Sequence, residues 1–113
     1  MDRVSEHKII MNRIALTNAN GAWFNEATAE SYEEGTYHDG RNHISKATGS
    51  QWDHERLYKT ASGKFVLYAW SAHQGRSDTW VQITPRDAAE WFSKNGLEPD
   101  ALCEKEFNEL EVK

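Results

Sequence analysis

Histidines and carboxylates recur close together in the middle of the chain, at His38-Asp39, at His43 and at Asp53-His54. Imidazole nitrogens and carboxylate oxygens are the donors that zinc and related ions take. His38, His43, Asp53 and His54 are therefore a candidate set for a small metal-dependent enzyme. Their spacing matches no metal-binding motif. Asp39-Gly40 is a type I′ hairpin dipeptide. A two-residue turn there sets His43 opposite Thr36 and diagonal to His38, with backbones about 7 to 8 Å apart. Such a pair reaches a shared ion without being shaped for one, and surface histidines explain it more simply. The phosphate-cradling loop, the dinucleotide glycine pattern, the nucleophile elbow, the HExxH helix and the paired CxxC are all absent from the sequence. The expectation is no catalytic residue, no metal site and no cofactor.

Aromatic rings carry a different chemistry. Five Trp, four Tyr and four Phe in 113 residues are hard to hide in one small core, because Trp is seldom fully buried. Trp52, Tyr68, Trp70 and Trp80 fall on or beside one expected sheet, and His73, Gln74 and Arg76 adjoin it in a loop. Trp, Tyr and Arg are the usual anchors of protein interfaces, so these seven form a candidate protein-binding surface. Trp52, Trp70 and Trp80 stacking the bases of a single strand is another reading. The formal charge of −5 opposes it, since phosphate backbones select basic proteins.

The elements that must position these residues lie between Leu57 and Gly96. Arg56–Thr60 and Lys64–Ser71 are rich in aromatic and β-branched residues and are separated by Ala61-Ser62-Gly63, which reads as a hairpin. A Ser62-Gly63 turn places Tyr58, Thr60, Phe65, Leu67 and Ala69 on one face and Leu57, Lys59, Val66, Tyr68 and Trp70 on the other. Both faces are apolar, which favours a sheet covered on both sides over a sheet with one aromatic binding face. A third strand runs from Asp78 to Ile83, with Thr79, Val81 and Ile83 on one side and Trp80 and Gln82 on the other. Thr84-Pro85-Arg86-Asp87 then opens a helix by a capping hydroxyl, a proline at its first position and an early acid. Ala88, Trp91 and Phe92 share its inner side, and Asn95-Gly96 ends it.

Elsewhere the pattern is less regular. Residues 1–8 are polar and expected to fray, Met11 is a second possible start, and Ile9–Leu16 reads as a strand with Ile10, Ile14 and Leu16 on one face. Asn18–Gly21 is a turn. Asn25 is positioned to cap a helix over Glu26–Glu34 with Gly35 past its end, although Glu33 and Glu34 oppose the dipole there. A last helix after Pro99 repeats Cys103, Phe107 and Leu110 at one face, which makes Cys103 a core residue rather than a reactive thiol.

Length and charge bound the rest. The chain suits a single α+β domain, a three-stranded or larger antiparallel sheet with helices on one side. No apolar run approaches the roughly 20 residues of a bilayer span, so the expectation is a cytoplasmic protein without membrane contact. Leu57-Tyr58-Lys59-Thr60, Gly63-Lys64-Phe65-Val66-Leu67, Trp70-Ser71 and Ala88-Ala89-Glu90-Trp91 resemble short uncharacterised proteins of bacteria, their prophages and mobile elements. That resemblance covers the second half of the chain and implies a bacterial or phage setting with no attached activity. The sequence is thus read as a non-enzymatic interaction protein with a protein partner, able to form homo-oligomers. An acidic inhibitor of a host enzyme is the analogous case.

Overall fold

Ala61-Ser62-Gly63 closes the central hairpin as a three-residue loop. The Thr60 N–H donates to the Lys64 carbonyl over 2.8 Å, and the Gly63 N–H donates to the Thr60 carbonyl over 2.9 Å. Gly63 sits at φ 86°, a left-handed conformation that glycine adopts freely. In this computed structural model, which describes residues 11–113, the hairpin is formed by β6 (Asp53–Lys59) and β7 (Phe65–Ser71), with Tyr58 opposite Val66 and Leu57 opposite Leu67. The two-residue turn expected from Ser62-Gly63 is therefore off by one. Because side chains alternate, that slip moves every β6 residue to the other face. Leu57 and Lys59 share a face with Phe65 and Leu67, while Tyr58 joins Val66, Tyr68 and Trp70.

β8 (Thr79–Ile83) extends the sheet beyond β7 with Val81 opposite Leu67 and Trp80 opposite Tyr68, the expected side assignment. On the far edge lies β3 (Glu30–Glu33), which gives a four-stranded antiparallel sheet in the order β3-β6-β7-β8. This corrects the expected helix over Glu26–Glu34. The Asn25 cap does form, its Oδ1 accepting from the Ala27 N–H over 3.1 Å, but it holds a single 3-10 turn, Glu26–Thr28. The chain then turns extended. Pairing with β6 satisfies the backbone and places the Tyr32 ring edge-on against Phe92, 4.8 Å between centroids, which a solvated helix would not achieve.

α1 (Pro85–Lys94) starts and stops as its sequence dictates. The Thr84 hydroxyl oxygen accepts from the Asp87 N–H over 3.1 Å, and Gly96 adopts φ 71° after the buried Asn95. It lays Ala88, Ala89, Trp91 and Phe92 onto Leu57 and Phe65, with Leu67 and Ile83 packed alongside. Asp100 caps a 3-10 turn, Ala101–Cys103, that leads into the short α2 (Glu104–Asn108). Cys103 is buried, and Phe107 and Leu110 pack against the same core.

The opposite face is also covered in part. β1 (Arg13–Ala15) and β2 (Trp23–Asn25) form a separate hairpin around the Asn18–Gly21 turn, and Ile14, Leu16 and Phe24 pack on Tyr58 and Val66. The sheet layout thus departs from helices on one side of one sheet, because a second small core lies beneath this hairpin. Of the expected Ile9–Leu16 strand, Arg13–Ala15 forms, while Ile9, Ile10 and the segment 1–8 expected to fray lie outside the described residues.

β4 (Thr36–His38) and β5 (His43–Ser45) make a third antiparallel pair with His38 directly opposite His43. The two-residue Asp39-Gly40 turn does not form. Asp39 Oδ1 instead accepts from the Arg41 and Asn42 N–H groups, each over 2.8 Å, so the side chain organises a four-residue loop and shifts the register. Among the described residues, no helix is long and apolar enough to cross a membrane.

Candidate functional site

Strand alternation puts Trp80 on β8 and Tyr68 and Trp70 on β7 on one face, with His54 and Arg56 beside them on β6. Their rings form a continuous stack. Trp80 and Tyr68 lie 3.9 Å apart at 13°, Tyr68 and Trp70 4.8 Å at 23°, and Trp70 and His54 5.5 Å at 29°. The Arg56 guanidinium covers Trp70 at 5.3 Å, within reach of a cation–π attraction. One end of the stack is fixed in the core, because Trp80 packs on Phe24 at 5.8 Å and on Tyr58 at 5.5 Å.

Polar side chains hold this ladder in place. The Tyr68 hydroxyl donates to Asp78 over 2.7 Å, and burial together with that bond pushes its pKa up to about 12. Arg56 Nε lies 2.8 Å from the Glu33 carboxylate and Nη1 donates to the Tyr58 hydroxyl over 3.2 Å. Both interactions hold the guanidinium in its charged form, the Tyr58 bond most. Among the described residues, nothing accepts from the indole N–H of Trp70 or Trp80. Both indoles are half-buried, so each offers a donor to an outside group.

His54 is fixed by a residue that sequence reasoning missed. Glu34, nearly enclosed, takes His54 Nδ1 at 2.7 Å on one oxygen, and on the other it accepts the Ser45 hydroxyl at 2.6 Å and the Glu55 N–H at 2.8 Å. Reading Glu34 as the end of a helix hid this role. The signal was the pair of glutamates set against the helix dipole, which argued for an extended segment.

The remaining residues of the candidate surface are spread out. Trp52 is exposed and packs on His73 at 5.4 Å, Gln74 is exposed in the same loop, and Arg76 reaches toward Asp53 at 3.9 Å. The structure therefore gathers Tyr68, Trp70 and Trp80 into one unit and leaves Trp52, His73, Gln74 and Arg76 at its end of the β6–β7 ladder.

The metal-binding alternative fares differently. His38 and His43 are neighbours, 5.1 Å between ring centroids, and His38 Nδ1 accepts from the Gly40 N–H over 3.1 Å. Asp39 is occupied by its loop, and the Asn42 and Arg41 amides hold its carboxyl below the usual range. Asp53 accepts the Ser71 hydroxyl at 2.6 Å, which with Arg76 lowers its carboxyl, and His54 belongs to Glu34. Among the described residues, no three of His, Cys, Asp and Glu come together to hold an ion. The chain matches no protein-family model, no curated protein and no solved structure.

Proposed function

We propose that the chain is a non-enzymatic interaction protein that binds a protein partner through the Trp80–Tyr68–Trp70 ladder and the Arg76 loop beside it. The observation that carries this reading is the stack itself. Each ring is immobilised by the next, so a partner docking on their edges orders no loose side chain, and that saving goes into affinity. Stacking of nucleobases fits less well, because it needs a free ring face and Trp70 has Tyr68 and His54 against it and Arg56 above.

The formal charge of −5 favours a partner with a basic surface. With the resemblance to prophage and mobile-element proteins, a bacterial cytoplasmic enzyme that handles nucleic acid is the class to try first. The test is affinity capture with the chain and with Trp70→Ala and Arg76→Ala variants that remain folded at the capture temperature. Support is a protein retained by the chain and lost from both variants. Equal retention by all three would remove the ladder as the site.

A further inference from the structure

Helix α1 leaves part of its own face of the sheet open, and Val81 on that face is 45 % exposed. Two adjoining concavities open there. One, of about 470 Å³, lies over Leu67 and Ile83 against Trp91, and the other, of about 330 Å³, lies over Ala69 and Thr79 against Arg76. Glu55 lines both. Each volume falls in the range of small-ligand sites, roughly 300 to 1,000 Å³.

The Glu55 carboxylate is held at one oxygen only. Oε1 accepts from the Trp91 indole N–H over 3.0 Å, and among the described residues no donor reaches Oε2. We propose that this groove binds a small organic cation with an apolar body, its charged nitrogen on Oε2 of Glu55 and its body over Leu67, Ile83 and the Trp91 ring.

The charges along the groove select the sign of the ligand. Asp87 and Glu90 line the larger concavity with Glu55, and Asp53 lines the smaller, against Lys94 and Arg76. Glu90 is engaged by Arg86 at 3.1 Å and Asp53 by Ser71, and Asp87 is exposed to water, so Glu55 is the half-buried carboxylate left to answer a ligand. Burial raises its pKa, a shift the Lys94 charge and the Trp91 bond oppose and the Glu34 charge adds to. A neutral apolar ligand would remove water from this carboxylate and return nothing, whereas a cation replaces the lost hydration with a charge-assisted bond.

The Trp91 indole N–H, bonded to the same carboxylate, is a local reporter. Titrating isotope-labelled protein with benzamidine should shift that resonance saturably, with affinity about tenfold or more above that for neutral benzamide, while benzoate leaves it unmoved. Benzamidine affinity should fall as pH is lowered and Glu55 takes up its proton. Glu55→Gln, whose carbonyl oxygen can still accept from Trp91, should keep its melting temperature and lose the preference for the cation. Equal binding of benzamidine and benzamide by the unaltered chain would overturn the proposal, whatever the variant does. So would an unmoved Trp91 resonance, or a lysine-containing peptide that binds where the small cations do not.

Discussion

The Gly35 N–H donates to Asn95 Oδ1 over 2.8 Å, and a Cβ added to Gly35 would fall 2.3 Å from the Asn95 carbonyl oxygen. Asn95 is itself buried and donates from Nδ2 to the Trp91 carbonyl over 2.8 Å, so one side chain ties the end of α1 to the link between β3 and β4. Gly35→Ala should destabilise by about 3 kcal/mol, at the upper end for overpacking, because the obstacle is backbone and cannot rotate away. A urea melt superimposable on that of the unaltered protein would show that this junction is looser than its distances.

Asp100 joins the sheet to the C-terminal segment. It accepts the Tyr32 hydroxyl at 2.5 Å, the Lys59 ammonium at 3.0 Å and the Leu102 N–H at 2.9 Å. Burial alone would raise its carboxyl, but these donors outweigh it and hold the group below the usual range. A depressed carboxyl contributes stability that is present above its unfolded pKa, about 3.8, and is lost as pH falls through the folded value. Asp100→Asn should therefore cost about 2 kcal/mol at neutral pH. The gap should narrow below about pH 3. Burial and Asp100 raise Tyr32 to about 12, so its share is present below the unfolded value, about 10, and is lost as pH climbs through 12. Urea melts across pH check both limits, and a gap that stays constant into acid would refute the carboxylate's role.

Much of this architecture was legible where local chemistry and burial agree. Thr84-Pro85 and Asn95-Gly96 mark the ends of α1, and the alternation of Thr79–Ile83 assigns its faces. Register was not legible, because Ala61-Ser62-Gly63 accommodates a two- or a three-residue loop and only the hydrogen bond from Thr60 to Lys64 decides. The same uncertainty at Asp39 hid the direct pairing of His38 with His43. Glu26–Glu34 was misread for another reason. Its helix cap is real, but pairing with β6 and packing of Tyr32 on Phe92 override the weak preference of an acidic segment for helix. Of the candidate site, Tyr68, Trp70 and Trp80 were visible from spacing, while Glu34 behind His54 depends on β3 and was not.

Cys103 should resist thiol reagents in the folded protein. It is buried, and burial with the nearby Asp100 and Glu106 pushes its thiol up to about 11, so little thiolate exists near neutrality. Phe107 packs on the same core but is only partly buried, so Phe107→Ala should cost about 2 kcal/mol rather than the 3 to 5 of an enclosed ring. Labelling of Cys103 in seconds under native conditions would show that the C-terminal segment opens readily.

Trp70 and Trp80 belong to one stack but should answer truncation differently. Trp80 rests on Phe24 and Tyr58 as well as Tyr68, so Trp80→Ala removes a shared wall of the smaller core and should destabilise by about 3 kcal/mol. Among the described residues the Trp70 ring meets Tyr68, His54 and Arg56 and does not join the Phe24–Tyr58–Val66 core, so Trp70→Ala should cost about 1 kcal/mol, the scale of an aromatic pair. Arg76 is 62 % exposed and loosely placed near Asp53, and Arg76→Ala should leave the melt unchanged. For a captured partner the order reverses, with Trp70→Ala and Arg76→Ala each weakening binding by about 2 kcal/mol if they are anchors. Thermal melts paired with binding isotherms separate the two effects. A Trp70→Ala protein that unfolds, beside an Arg76→Ala protein that binds normally, would make Trp70 a core residue and remove the proposed surface.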